Sequence, residues 1–318
     1  MKSFLQDDIV LIAGNSNVKL AEEISELVGV KLCNADVKKY ADGEIAVSIH
    51  SSVREKDVFV IQSTCTPTND NLMELLIIID ALKRASVGRV NAIIPYYGYA
   101  RQDRKSKPRV PITSKLVANM LTVAGADRVI TIDLHADQIM GFFDIPVDRL
   151  LAMPIISDYI LNHDFDLNNL VVVAPDVGSV KRSRALAERI GIPLAIIDKR
   201  RPRDNEAEVM NVIGEVSGKD VIMLDDMIDT AGTLVGAAEA LEKLGAKKIF
   251  AACTHAVLSG PAIERIKKSP ITKMIITNTI PLLEEKQLEK IEVVSIAGLI
   301  AQAINRVHNG TSVSELFE

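Results

Sequence analysis

Residues 221–233 read VIMLDDMIDTAGT, and the fold follows from how this stretch is parsed. Val221, Ile222, Met223 and Leu224 form a short apolar run of the kind that makes a strand buried on both faces. From Leu234 to Leu244 the apolar positions take helical spacing and stop at Gly245, so the turn between strand and helix spans residues 225–232. A helix start presents unpaired backbone N–H groups and the positive end of its dipole. Asp229, Thr230, Ala231, Gly232 and Thr233 therefore offer a phosphate small residues, hydroxyls and amides. Asp225 and Asp226 sit one step earlier, at the strand's carboxyl end, where acceptors suit the hydroxyls of a sugar. The plainer reading is that Asp and Thr merely cap a helix. Against it, two adjacent carboxylates are costly to place together unless a cation, donor or ligand satisfies them.

The same order of elements recurs on either side. Residues 9–32 (IVLIAGNSNVKLAEEISELVGVKL) and 170–194 (LVVVAPDVGSVKRSRALAERIGIPL) both read as strand, turn, amphipathic helix and second strand. Residues 57–95 give VFVIQ, the turn STCTPTND, a helix over 72–85 and VNAIIP; residues 220–256 give VIMLDD, MIDTAGT, a helix and IFAACTHA. An offset of about 160 residues marks a domain duplication rather than a solenoid array. Alternating strands and helices predict an α/β chain of two duplicated domains, each a mostly parallel sheet flanked by helices. The expected domains are residues 1–152 and 153–318, with a helix over 155–162 near the start of the second. The polar tail, 309–318 (NGTSVSELFE), is expected to dock on the other domain or on a neighbour. Ligands of such sheets gather beyond the strands' carboxyl ends, where the two copies differ. STCTPTND lacks the paired acids and the glycine-assisted turn, so the first domain is expected to do something other than hold a sugar phosphate.

With 318 residues, 48% of them hydrophobic, the chain is long enough for two cores. A net charge of -5 argues against generic binding to nucleic acid or an anionic membrane. The start, MKSFLQDDIV, has no long apolar core, and the greasiest run, 72–82, contains Glu74 and Asp80, so a soluble cytoplasmic protein is expected. Cys33, Cys65 and Cys253 are far apart in apolar segments and read as buried thiols rather than a disulfide or zinc site.

The remaining unusual turns are charged. Residues 99–113 (YARQDRKSKPRVPIT) carry Arg101, Arg104, Lys105, Lys107 and Arg109 against Asp103. They read either as a solvated loop or as a polyphosphate clamp of guanidinium forks. Residues 198–203 (DKRRPR) form a second basic turn, exposed on the plain reading. On the functional reading, Lys199 and Arg201 neutralise charge on a transferring phosphoryl group. His135, in ITIDLHADQ, follows a strand, and Asp176 lies in the turn after VVVAP. Each reads as an ordinary turn residue or as a ligand of a divalent ion that also binds phosphate oxygens. YADGE, 40–44, is a hairpin turn at Asp42 and Gly43 or, with Tyr40 as a stacking face and Asp42 and Glu44 as acceptors, an adenine pocket.

With these residues in hand, the chain resembles the ribose-phosphate pyrophosphokinases of the common phosphate-activated class. The motifs YADGE, YYGYARQDRK, DLHADQIMGFFDIPVD, DKRRP and DDMIDTAGT occur in the family's order, and the likeness runs from NSNVKLAEEI to SVSELF. It implies two type I phosphoribosyltransferase-like domains and transfer of the diphosphoryl group of Mg-ATP to the anomeric hydroxyl of ribose 5-phosphate, releasing AMP. It implies that Asp225, Asp226, Asp229, Thr230, Ala231, Gly232 and Thr233 hold ribose 5-phosphate, Asp226 through the hydroxyls or their metal. ATP falls to Asp42, Gly43, Glu44, Arg101, Gln102, Arg104 and Lys105, with Tyr40 where the family usually has a Phe stacked on adenine. His135 and Asp176 become Mg2+ positions; Lys199 and Arg201 become the catalytic cations, Arg201 also near the sugar phosphate. The resemblance further implies a homohexamer activated by phosphate and inhibited by ADP, with Ser52, Arg54, Ser312 and Ser314 near the regulatory site. Glu55 stands where the family has a Gly, Val110 where it often has a Glu, and Val177 and Ser179 flank Asp176 in place of the usual residues. A phosphoribosyltransferase needs one such domain and has no use for YADGE and RQDRK. A non-catalytic regulatory relative would be expected to lose Lys199, Arg201 or His135, which are all present.

Overall fold

The computed structural model describes residues 8–176, 178–200 and 209–316, with backbone alone at 199, 200 and 209–211. The chain forms two compact units. Unit one takes the chain through Leu151, Thr279–Pro281 and everything from Ser295; unit two takes Ala152–Asn278 and Leu282–Val294.

In unit one, β1 (Ile9–Ala13), β4 (Asp57–Ile61), β5 (Arg89–Ile94), β6 (Arg128–Ile132) and β7 (Val147–Leu150) form a parallel sheet in the order β1-β4-β5-β6-β7. Helices α1 (Val18–Val28), α2 (Thr68–Arg84) and α3 (Thr113–Ala124) lie between strands in the chain, and β2 (Ala35–Lys39) and β3 (Ile45–Ile49) make a separate antiparallel hairpin. The sequence sets these boundaries locally. The Asn17 side chain accepts from the Leu20 amide and caps α1, and Gly29, with φ 76°, ends it in the left-handed conformation. Leu20, Ala21 and Ile24 fall on the buried face.

Unit two repeats the plan. Helix α4 (Met153–Asn162) leads into β8 (Leu170–Ala174), α5 (Val180–Ile190), β9 (Leu194–Arg200), β10 (Val209–Ile213), β11 (Asp220–Ile228), α6 (Gly232–Lys243), β12 (Ile249–Ala256), α7 (Ala262–Lys268), β13 (Ile271–Thr277) and β14 (Ile291–Val294). The seven-stranded sheet runs β10-β9-β8-β11-β12-β13-β14, parallel except for β10. Strands β8-β11-β12-β13-β14 thus repeat the order of β1-β4-β5-β6-β7, and the β9–β10 hairpin takes the chain position of β2–β3. Continuous apolar runs such as LVVVA fit strands covered on both faces.

The structure corrects several local expectations. The strand expected near residues 30–32 shrinks to a single bridge between Leu11 and Leu32. Helix α2 begins at Thr68, not at 72, and α4 at Met153, not at 155. Cys65 and Cys253 are buried free thiols, but Cys33 is only half-buried. The largest difference is at the end of the chain: α8 (Ala297–Asn309), expected within 153–318, belongs to unit one and packs on α1. A buried ionic cluster explains why. Asp57, fully buried, accepts from Arg89 Nε at 2.7 Å and Asn91 Nδ2 at 2.8 Å, and its Oδ2 lies 2.8 Å from His308 Nδ1. Arg89 also donates to the Val307 carbonyl, so the fully desolvated carboxylate is satisfied partly by α8 itself. The tail then folds back on its own helix through Arg306, which donates to the Ser312 carbonyl and to Glu315.

Candidate active site

In unit two the acid pair lies inside a strand. Strand β11 continues through Met227 and Ile228, which pair with His255 and Ala256, so the turn expected over 225–232 is shorter than read from sequence. Asp225 and Asp226 lie four and three residues from the turn residue Asp229. Asp226 is 5% exposed, and its amide donates to Asp225 Oδ1 at 2.8 Å. Burial, then the neighbouring Asp226, pushes Asp225 up to about 7, opposed by the Arg182 guanidinium. The Cys253 thiol, paired with Asp225 across the ladder, is pushed up by burial and then by the two acids, which keeps it a neutral thiol.

The turn from β11 into α6 is held from behind. Ala231, with φ 59°, is the N-cap of α6 and makes no side-chain cap bond, so simple capping by Asp or Thr does not account for the motif. Instead Asp229 accepts from the Ser259 hydroxyl, the Ser259 amide donates to the Asp229 carbonyl at 3.0 Å, and Arg265 Nη1 donates to the Thr230 carbonyl at 2.9 Å. The Asp229 side chain and the Asp229 and Thr230 carbonyls are thus tied back from the start of α6, where the first-turn amides of a helix have no partner within it. Gly232 and Thr233 are exposed at this turn. In the adjacent turn Asp176 Oδ1 accepts from the Ser179 amide at 2.9 Å, while the Ser179 hydroxyl donates back to the Asp176 carbonyl.

In unit one a polar cavity of about 370 Å³ opens at the start of α2, between Thr68, Asn69, Tyr96, Tyr99, Arg101 and Gln102. Tyr99 is held at φ 64° and its hydroxyl donates to Asn69 Oδ1. Gln102 is fixed by its amide to the Tyr99 carbonyl at 2.9 Å and by the Thr113 hydroxyl on its side-chain oxygen. Arg101, Arg104 and Lys105 are exposed on the same loop, and Asp103 is held by Gln138 Nε2 at 2.6 Å. His135 is exposed between β6 and a short 3-10 turn, Asp137–Phe142. At the tip of the β2–β3 hairpin Tyr40 is 62% exposed, the Tyr40 amide donates to the Glu44 carbonyl, and Gly43 takes φ 96°. The expected hairpin turn at Asp42 and Gly43 is therefore present.

Residues 9–125 match the model of the N-terminal domain of ribose phosphate pyrophosphokinase, and residues 199–318 match that of the phosphoribosyl synthetase-associated domain. The chain is 60% identical over 311 residues to the ribose-phosphate pyrophosphokinase of Caldanaerobacter subterraneus subsp. tengcongensis, with 98% of each chain covered. The chain belongs to the ribose-phosphate pyrophosphokinase family. That of Bacillus caldolyticus is 57% identical over 313 residues, covering 98% of this chain and 99% of the relative. The crystal structure of phosphoribosylpyrophosphate synthetase from Mycobacterium smegmatis superposes with a TM-score of 0.90 at 44% identity, over 95% of this chain and 99% of that one. The α/β fold with parallel sheets expected from the sequence is thus that of a ribose-phosphate pyrophosphokinase, and the chain is an enzyme of that family.

The sequence-assigned residues divide between the units: Tyr40, Asp42, Gly43, Glu44, Arg101, Gln102, Arg104, Lys105 and His135 in unit one, and Asp176, Asp225, Asp226 and 229–233 in unit two. Ser52, Arg54, Ser312 and Ser314 are exposed, and all lie in unit one. The Lys199 side chain and Arg201 lie outside the described residues. Sequence reading passed over Arg182, Ser259 and Arg265. Each is a common polar residue on an amphipathic or loop segment, and only its spatial partner marks it.

Proposed function

We propose that the protein transfers the diphosphoryl group of ATP to the anomeric hydroxyl of ribose 5-phosphate, forming 5-phospho-α-D-ribose 1-diphosphate and AMP. The observation that carries this reading is the division of labour between duplicated sheets: an acid pair with a braced phosphate turn in unit two, and a polar cavity with a basic loop in unit one. The anomeric oxygen attacks the β-phosphorus and passes its proton to water, and the bond between the β-phosphorus and the bridging oxygen of the α-phosphate breaks so that AMP leaves. Asp225 and Asp226 accept from the ribose hydroxyls and residues 229–233 take the 5-phosphate. The loop of Arg101, Gln102, Arg104 and Lys105 receives the triphosphate, with Tyr40, Asp42, Gly43 and Glu44 at the adenine. Lys199 and Arg201 offset charge arriving on the leaving oxygen, neither of them acting as a base, and positioning supplies most of the rate.

Magnesium fits the residues present. Among the described residues no three His, Cys, Asp or Glu side chains gather into a cage. Asp176 keeps one carboxylate oxygen outside its turn bonds, and hard oxygen donors few in number suit Mg2+, which shares its shell with water and substrate phosphates. His135 and Asp176 are its proposed positions, and the ion supplies neutralisation of phosphate charge when bound. A homohexamer, phosphate activation and ADP inhibition through Ser52, Arg54, Ser312 and Ser314, and a cytoplasmic location complete the reading, supported by the family resemblance. Among the described residues no helix is long and apolar enough to cross a membrane.

Incubation with ribose 5-phosphate and Mg-ATP tests the proposal. Release of AMP that depends on ribose 5-phosphate is expected without any nucleobase; a requirement for a nucleobase, or no AMP, overturns it.

A further inference from the structure

We propose that Arg182, in the first turn of α5, is a positioning residue for the sugar: its guanidinium bridges Asp225 and Asp226 and fixes them as one acceptor platform for the hydroxyls of ribose 5-phosphate. The inference rests on the assignment of these two acids to the sugar. Arg182 Nη1 lies 3.3 Å from Asp225 Oδ1 and 3.2 Å from Asp226 Oδ1. A single nitrogen between two carboxylates constrains both at once, because either acid can turn away only by giving up a charge-assisted bond.

The backbone makes this arrangement possible. Neighbouring residues of a strand normally point to opposite faces. Here the Asp226 amide donates to Asp225 Oδ1 at 2.8 Å, and the ladder to β12 pairs Asp225 with Cys253 and Met227 with His255 while passing over Asp226. Both carboxylates thereby reach the same guanidinium, in a setting where Asp226 is buried and Arg182 keeps 28% of its side-chain surface. Without the cation the acids repel each other, and the pair loses its shared orientation. Helix α5 starts from the Asp176–Ser179 turn, so the same few hydrogen bonds that set the proposed metal carboxylate also set the phase of the helix that carries Arg182.

Arg182→Met keeps length and removes the charge. Calorimetric titration with ribose 5-phosphate is expected to give binding weaker by at least about tenfold, with the KM for ATP changed by less than about twofold. Because the residue acts through the sugar hydroxyls, the penalty should shrink to less than about threefold for 2-deoxyribose 5-phosphate, which lacks one of them. A folded Arg182→Met protein that binds ribose 5-phosphate like the wild type overturns the role of Arg182 and leaves the proposed function standing. An equal loss for both sugars also overturns it, since a merely structural role predicts that result. Wild-type protein that fails to bind ribose 5-phosphate overturns both. Should Arg182→Met not fold, Arg182→Gln carries the same comparison, as a neutral amide keeps a polar side chain but removes the charge that bridges the two acids.

Discussion

The turn from β4 into α2 and the turn from β11 into α6 hold the same place in two copies of one sheet, and they are built from opposite materials. In unit two the strand carries two acids near its carboxyl end and runs on to Ile228, and the short turn after it is tied back by Ser259 and Arg265. In unit one the turn is STCTPTND, and the space beside it is a polar cavity walled by Asn69, Tyr99 and Arg101. The neighbouring turns differ as well. Unit one fills its β1–α1 turn with its own side chains: Glu74, 5% exposed, accepts from the Asn15 amide at 2.6 Å and from Gln62 Nε2 at 2.8 Å, and Gln62 accepts from the Ser16 amide. An internal carboxylate thus takes amides that an outside anion would otherwise use. In unit two the β8–α5 turn is instead closed on itself by the hydrogen bonds between Asp176 and Ser179. Duplication fixes where the turns lie; the residues near the strand ends decide what chemistry each turn offers.

If the hairpins are also a diverged pair, their substitutions should separate. Lys199→Ala is expected to lower turnover at least about a hundredfold while ribose 5-phosphate still binds. Tyr40→Ala should act on the KM for ATP, by about tenfold, as loss of a stacked base does. Steady-state kinetics with each substrate varied decides this, and equal effects on kcat and KM in both variants would break the pairing.

The glycines sharpen the comparison of turns. A Cβ at Gly14 would lie 2.3 Å from Gln62 Oε1 and 2.9 Å from Glu74 Oε1, inside the plugged turn. Gly14→Ala should therefore cost about 1–3 kcal/mol by overpacking, read from denaturant unfolding. At Gly232 the same atom would come nearest the flexible tip of Arg265, at 3.2 Å. Gly232→Ala should leave stability nearly unchanged and weaken ribose 5-phosphate binding instead.

A smaller effect concerns pH. With Asp225 raised to about 7, the ligand-free folded protein keeps a proton that the unfolded chain has released, between about pH 4 and pH 7. This group's contribution is fully present below about pH 4 and is lost as pH rises through about 7. Asp226→Asn should bring Asp225 down and flatten that slope, by about 1–2 kcal/mol after allowance for solvent screening at a side chain 30% exposed. Unfolding curves across the window measure it, and parallel slopes would remove the acid pair as the cause. The smallest effect compares two left-handed residues, Glu55 with φ 60° and Ala231 with φ 59°. Replacing either by Gly should stabilise by less than about 1 kcal/mol, since Gly relieves the strain but gains freedom when unfolded. Only Ala231→Gly should alter sugar binding, whereas Glu55→Gly should sharpen any response to phosphate.

Much of this molecule is written in short-range pattern. Buried strands, the duplicated order of elements and the places of DDMIDTAGT, YADGE and RQDRK follow from apolar period and turn chemistry, which act over a few residues. Tertiary structure alone decided the rest. That β11 runs on to Ile228 depends on its pairing with His255 and Ala256; that α8 joins unit one depends on a buried carboxylate about 250 residues away in the chain, Asp57, which needs His308 and Arg89. Arg182 reads as one more cation of a solvated helix face until Asp225 and Asp226 stand within 3.3 Å of it. Hydrophobic period is a property of neighbours along the chain, but the satisfaction of a buried charge is a property of neighbours in space.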